Sequence, residues 1–364
     1  VLAALLSAVS LAAAAAAVER HPFSVLDMVA MERLAGPQPS PDGRQVVFTR
    51  RVYDPGANKS FTSLWIVPID GGEPRRLTAA RASDTSPRWS PDGRTIAFVS
   101  DRSGSSQIWM IDPAGGEARQ ATDLPLDVDN VQWSPDGTRP AFSAEVYPDC
   151  PDLACTAKRD QEADASPVKA KLYTRLPFRH WDTWEDGKRS HLFVWPAGGG
   201  NPIDVMKGAD ADSPPKPFGG AEEFAWSPDG RTIAFTAKIS ANPAWSTDLS
   251  IYLAAADGGG FRCLTCANEA QDSQPAFSPD GRTLACLAMA RPLYEADRQR
   301  VTLYDLSTGK GRALTEAWDR SAESIAWSKD GRKLFVAAED QARRKIFAVD
   351  AARPAPVQQV DAFR

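Results

Sequence analysis

The chain has 364 residues, 43% hydrophobic and 24% charged, with a formal net charge of −5. This is the make-up of a globular chain able to bury a sizeable core. The acidic balance provides no basic stripe of the kind that tracks nucleic acid, and beyond residue 17 no apolar run is long enough to cross a bilayer.

Residues 1–17, VLAALLSAVSLAAAAAA, are apolar with small residues at the end. They resemble the apolar core and cleavage region of a secretory signal peptide. The run is short and alanine-rich against the ~20 residues a membrane anchor needs. No initiator Met and no positively charged leader precede it, so the N-terminus reads as incomplete. Export to the periplasm or beyond is expected, with no stable membrane span. Residues 18–38 are expected to hold a short helix and a lead-in.

From residue 39 onward a single motif recurs. WSPDGRTIAF stands at Trp89–Phe98 and again, letter for letter, at Trp226–Phe235. Looser copies begin at Pro39, Trp133, Phe277 and Trp327. Pro91 presets φ for the first corner of a β-turn, Asp92 suits the second, and Gly93 accepts positive φ. With strand formers on both sides the motif reads as a β-hairpin. Its serines, Ser40, Ser90, Ser134, Ser227, Ser278 and Ser328, are 50, 44, 93, 51 and 50 residues apart. A strand-built repeat of 40–50 residues indicates a β-propeller. The second copy predicts a whole four-stranded blade: 95–100, 107–112, an outer strand at 118–122 after the PAGGE turn, and 130–134 opening the next unit.

The 93-residue step marks blade three. Phe98 and Ile108 of the second unit are 10 positions apart, whereas Phe142 and Leu192 of the third are 50 apart. One blade therefore carries about 40 extra residues, roughly 148–189, and structureless loops of that size are uncommon and usually functional. In a propeller the SPDG and Gly-Gly turns share one face. The insertion belongs to the other, with the linkers around Asp84, Asp127–Asn130, 209–222, Asp272 and Arg320.

Of the five cysteines, Cys150 and Cys155 lie within the insertion, where export favours a disulfide. Cys263 and Cys266 form a C-x-x-C on a predicted strand, where residues three apart point to opposite faces. The pairing of Cys263, Cys266 and Cys286 stays open. With His21, His180 and His191 the only histidines, no metal site is expected, and no cofactor is called for. His21 is expected in solvent and His191 in a structural role.

Three stretches carry a family resemblance: FSVLDMVAMERLAGPQPSPDGRQVVFTR (23–50), the WSPDGR blades, and LYTRLPFRHWDTWEDGKRSHLFVWP (172–196). Together they resemble the N-terminal part of bacterial dipeptidyl peptidase V-type and acylaminoacyl-peptidase-like enzymes, of the prolyl oligopeptidase family of serine peptidases. The resemblance implies a seven-bladed propeller and a C-terminal α/β-hydrolase domain with a Ser-Asp-His triad. These residues contain no G-x-S-x-G and no His after His191. The expectation is thus an open propeller of five full blades and most of a sixth, catalytically incomplete, with the hydrolase domain as its absent partner.

The resemblance also implies a propeller that filters access and holds the N-terminus of a peptide substrate. An ammonium needs carboxylates and an apolar side chain needs aromatics. Arg179, Trp181, Asp182, Trp184 and Glu185 are the candidate substrate-binding residues, with Asp182 or Glu185 near the amine and Trp181 or Trp184 as apolar wall. The alternative is a small subdomain whose aromatics pack on blade three. Glu222-Glu223 invites comparison with the paired glutamates of other dipeptidyl peptidases but reads as a loop-to-strand junction. A second function class, a binding or scaffold propeller of TolB type without an enzyme, fits the hairpins alone.

Overall fold

The computed structural model describes residues 21–354 and 357–360. The signal-like run at 1–17 lies outside them. Six four-stranded antiparallel sheets follow one another along the chain, each a simple meander from its first strand to its fourth. The first strands are Arg33–Pro39, Asp84–Trp89, Val128–Trp133, Phe224–Trp226, Asp272–Phe277 and Ala322–Trp327. The fourth strands are two or three residues long and lie at the sheet edges. The expected propeller is there. The lead-in Arg33–Pro39 is itself the first strand of blade one, and blade six, expected to be partial, has all four strands, ending with Gln358–Gln359.

The hairpin recurs because its side chains complete the turn. Ser90 Oγ donates to Asp92 Oδ1 at 2.6 Å and accepts from Thr95 N at 3.0 Å, while Asp92 Oδ1 accepts from Arg94 N at 3.1 Å. Gly93 sits at φ +71°, where a side chain would be strained. The same serine–aspartate bond closes the turn in the other five blades.

Two further stitches follow the repeat. A buried threonine just past the fourth strand accepts the N–H of the third: Thr78 from Leu64, Thr122 from Ile108, Thr265 from Ile251 and Thr315 from Val301, each at 2.9 Å. The hydroxyl substitutes for the backbone carbonyl that so short a strand cannot supply. Tryptophans beside the repeat serine tie three of the blades to the one before. Trp89 Nε1 donates to Gln38 O, Trp133 to Arg88 O and Trp327 to Ala276 O, at 3.1, 3.3 and 3.0 Å.

Blade three departs from this pattern. Its strands are Val128–Trp133, Pro140–Val146, Arg189–Val194 and Ile203–Asp204, so the excess residues fall between its second and third strands. Buried Met206 stands where blades one, two, four and five have the threonine, and buried His191 takes over the anchoring. Its Nδ1 lies 2.9 Å from Asp204 Oδ2 and its Nε2 3.0 Å from Ala209 O. At the next junction Trp226 Nε1 is buried without a partner, and its ring lies 5.4 Å from the Arg139 guanidinium.

The core is a series of slabs between consecutive blades. Seven residues after the repeat serine, Val47, Ala97, Ala141, Ala234 and Ala285 are 0% exposed, each packed on the following blade. In blade six that position is Phe335, 39% exposed. No strand of blade six hydrogen-bonds to blade one among the described residues, and the ring is open.

Candidate functional site

The first strands of blades two, three and five begin at Asp84, Val128 and Asp272 and run toward the SPDG turns. Their starts therefore mark the opposite mouth, and the insertion rises there. After Val146 the chain enters a 13-residue helix, α (Leu153–Ala165), that repeat counting did not anticipate. Asp152 caps it by accepting from Cys155 N at 2.8 Å, and the Cys150–Cys155 disulfide closes the turn before it. Leu153, Thr156 and Ala157 are its buried face. Arg159 grips Asp149 through two nitrogens at 2.8 and 2.9 Å and covers the Tyr147 ring at 4.4 Å.

The chain returns through a small hairpin, Arg179–His180 with Thr183–Trp184. The structure divides the candidate residues here. Trp184 stacks on Tyr173 and Phe178 at 5.9 and 6.0 Å, and the Arg179 guanidinium lies 5.7 Å from its ring. Glu185 is held by Arg189 at 3.0 Å. Arg179, Trp184 and Glu185 thus take part in the insertion's own packing, although Arg179 and Trp184 stay exposed, Trp184 at 52%. Trp181 and Asp182 form the exposed tip. Trp181 has φ +45°, a conformation bulky residues avoid and one that concentrates at functional sites. Its ring meets Phe218 edge-on at 5.1 Å and His180 at 5.6 Å. Trp181 and Phe218 are 69% and 71% exposed.

Phe218 belongs to the proline-rich loop after blade three's fourth strand, a partner the sequence reading did not name. Its signal was an aromatic in the turn-forming stretch SPPKPFGG. Ion pairs fasten this loop to the insertion's base. Arg189 and Arg175 both reach Asp210, at 2.9 and 2.7 Å, and Lys216 reaches Glu145 at 2.6 Å and Asp212 at 3.4 Å. Burial pushes the Asp210 carboxyl up, but the bond from Arg175 and the Arg189 charge outweigh it and hold the group low. Burial likewise disfavours the charged Lys216, and Asp212 with Glu145 reverses this.

Between the loop and the linker of blades two and three lies an open cavity of about 380 Å³, lined in part by Asp127, Asp129, Asn130, Glu145 and Lys216. Asp129 accepts from Ser86 Oγ at 3.2 Å, and Asn130 donates to Ser143 Oγ at 2.9 Å. The mouth is thus rimmed by acids beside aromatic surface, an arrangement that suits an ammonium next to an apolar side chain. Glu222 and Glu223 part company. Glu222 is exposed, whereas Glu223 is buried in a 3-10 turn and accepts from Gln274 N at 3.1 Å, its carboxyl pushed up chiefly by burial. Among the described residues no group of His, Cys, Asp and Glu is placed to hold a metal ion, and no helix is long and apolar enough to cross a membrane.

The C-x-x-C cysteines are bonded to each other, and Cys286 is free and buried. The alternation argument fails because Cys263 is the last residue of its strand, and the chain turns before Cys266.

Comparison with known proteins agrees with this architecture. Residues 28–149 match the TolB beta propeller domain family. Dipeptidyl-peptidase 5 of Porphyromonas gingivalis is 32% identical over 315 residues, 85% of this chain and 45% of that protein. Dipeptidyl-peptidase 5 of Trichophyton equinum is 35% identical over 203 residues, 50% of this chain and 28% of that protein. The chain thus spans less than half the length of either relative. Among solved structures, Pyrococcus horikoshii acylaminoacyl peptidase superimposes with a TM-score of 0.65 at 15% identity, over 93% of this chain and 47% of that one. The propeller domain of the Pyrococcus furiosus Trilobed protease gives 0.58 at 15% identity, over 92% and 84%.

Proposed function

We propose that this chain, the propeller part of a prolyl oligopeptidase-family peptidase, receives the N-terminal end of a peptide at its insertion-bearing mouth and meters its entry. The observation that carries the reading is the exposed Trp181–Phe218 pair beside Asp182, which makes no ion pair among the described residues. The aromatics offer the apolar wall and Asp182 the counter-charge for the ammonium. Arg179, Trp184 and Glu185 hold the tip in place, and Arg179 and Trp184 remain exposed beside it. The activity of the whole enzyme, release of dipeptides or acyl-amino acids by a serine nucleophile, is proposed by analogy with the relatives' names and requires a catalytic domain. Export to an oxidising compartment is part of the same reading and is supported by the two disulfides.

The test is calorimetric binding of a short peptide with an apolar second residue, with free and with acetylated N-terminus. Tight preference for the free amine is expected, lost in Asp182→Asn. Trp181→Ala should weaken both forms about tenfold, the value of an indole face returned to water. Equal binding of both peptides, unchanged by either variant, would overturn the proposal.

A further inference from the structure

The Cys263–Cys266 bond joins the end of blade four's fourth strand to the connector into blade five. Between the two cysteines lies Thr265, one of the four threonines that stitch a third strand. Its sisters make the same bond at the same 2.9 Å with no cross-link around them. Arg76 and Ala79 flank Thr78, Gln120 and Asp123 flank Thr122, and Ala313 and Glu316 flank Thr315. A blade of this build therefore forms without the disulfide. The closed loop is also among the shortest possible, so cross-linking removes little entropy from the unfolded chain.

The bond is open to attack from one side. Cys266 is exposed and Cys263 half-buried. Cys266 N donates to Cys263 Sγ at 3.1 Å, placing a backbone donor on the sulfur that would leave as thiolate. The Tyr252 hydroxyl lies 3.7 Å from Cys266 Sγ. Cys150 and Cys155 differ: both are half-buried, and they close the turn that starts the insertion's helix.

We propose that Cys263–Cys266 is a thiol–disulfide exchange site, reduced reversibly by a dithiol while the propeller stays folded. A thiolate of the dithiol attacks exposed Cys266 Sγ. The Cys263–Cys266 bond breaks, and its electron pair goes to Cys263 Sγ, which the Cys266 N–H stabilises before it takes a proton. The second thiol of the reductant then attacks its own sulfur in the mixed disulfide and releases Cys266. Two cysteine thiols form, and the dithiol leaves as a disulfide, oxidised by two electrons. This inference is independent of the peptide-handling reading.

The experiment is graded reduction of the native protein, quenched by alkylation and read by peptide mass, with circular dichroism in parallel. One arm uses dithiothreitol, the other a reduced C-x-x-C protein. Cys263 and Cys266 should alkylate at dithiothreitol concentrations at least tenfold below those needed for Cys150 and Cys155, with the fold unchanged and the bond restored by oxidised glutathione. Faster reduction by the protein arm assigns a protein partner; reduction by dithiothreitol alone assigns a small dithiol, and both support the site. Cys263→Ser should trap a mixed disulfide at Cys266 with glutathione. Reduction of both bonds together, or of Cys263–Cys266 only as the fold is lost, overturns the proposal.

Discussion

Asp272 should make the protein lose stability as pH rises, and the repeat shows why. Asp84 and Asp272 both stand six residues before a repeat serine, in blades two and five, and both are 0% exposed. Asp84 has Arg102 at 2.7 Å. Arg102 lies twelve residues after Ser90, and the matching place after Ser278 is Ala290. Asp272 keeps one bond from Asn268 Nδ2 at 3.0 Å, and its Oδ2 is buried without a partner. Burial accordingly pushes its carboxyl from the ordinary 3.8 to about 7, against the pull of Asn268 and Thr265. The unfolded chain ionises near pH 4 and the folded one near pH 7, so between these values the folded state binds the extra proton. Stability is full below pH 4, falls through the window and levels off above about pH 7. At about 1.4 kcal/mol per pH unit, the two units from pH 5 to 7 amount to about 3 kcal/mol. The assay is urea unfolding of the parent and of Asp272→Asn at pH 5 and pH 9. Other groups titrate alike in both proteins, so the readout is the difference between them, which should widen by about 3 kcal/mol in favour of the variant. A difference constant across that range would refute the argument that burial controls this carboxyl.

Thr315→Val keeps the shape of the side chain but leaves the Val301 N–H without its acceptor, and should lower the urea midpoint by the equivalent of about 1–3 kcal/mol; a change below about 0.5 kcal/mol would mean another group takes the bond. Thiol titration of the oxidised protein should find one reactive group per chain in denaturant and almost none in the native state, since Cys286 is the one cysteine outside a disulfide and burial pushes its thiol up; two or more native thiols would contradict the pairing. Phe335→Ser should reduce concentration-dependent light scattering with little change in unfolding midpoint, because the side chain projects from the uncovered face of blade six and exposed apolar sheet faces invite association; unchanged scattering would show that this face is not what associates.

The blades were legible because their information is local. Ser, Pro, Asp and Gly complete a turn within four residues, and a strand's alternation reports its two faces, so counting copies yields six blades and assigns the excess of the 93-residue step to blade three. The threonine stitch was equally regular, in RLT, QAT, CLT and ALT, but its meaning depends on a strand some fourteen residues earlier. The site divided along the same line. The aromatic and acidic run at 179–186 marked the insertion, since bulky residues in a long excursion have few other uses. What each of them touches was decided by the folded insertion and its neighbours: Tyr173 and Phe178 stack on Trp184, Arg189 pairs with Glu185, and Phe218 meets Trp181 from another loop. The repeat could place two aspartates at equivalent positions, but only the folded chain reveals that one is bonded to an arginine and the other is not. Turn chemistry is a property of neighbours along the chain. Exposure, ion pairing and the ionisation of a buried carboxyl are properties of neighbours in space, and those exist only once the blades have stacked.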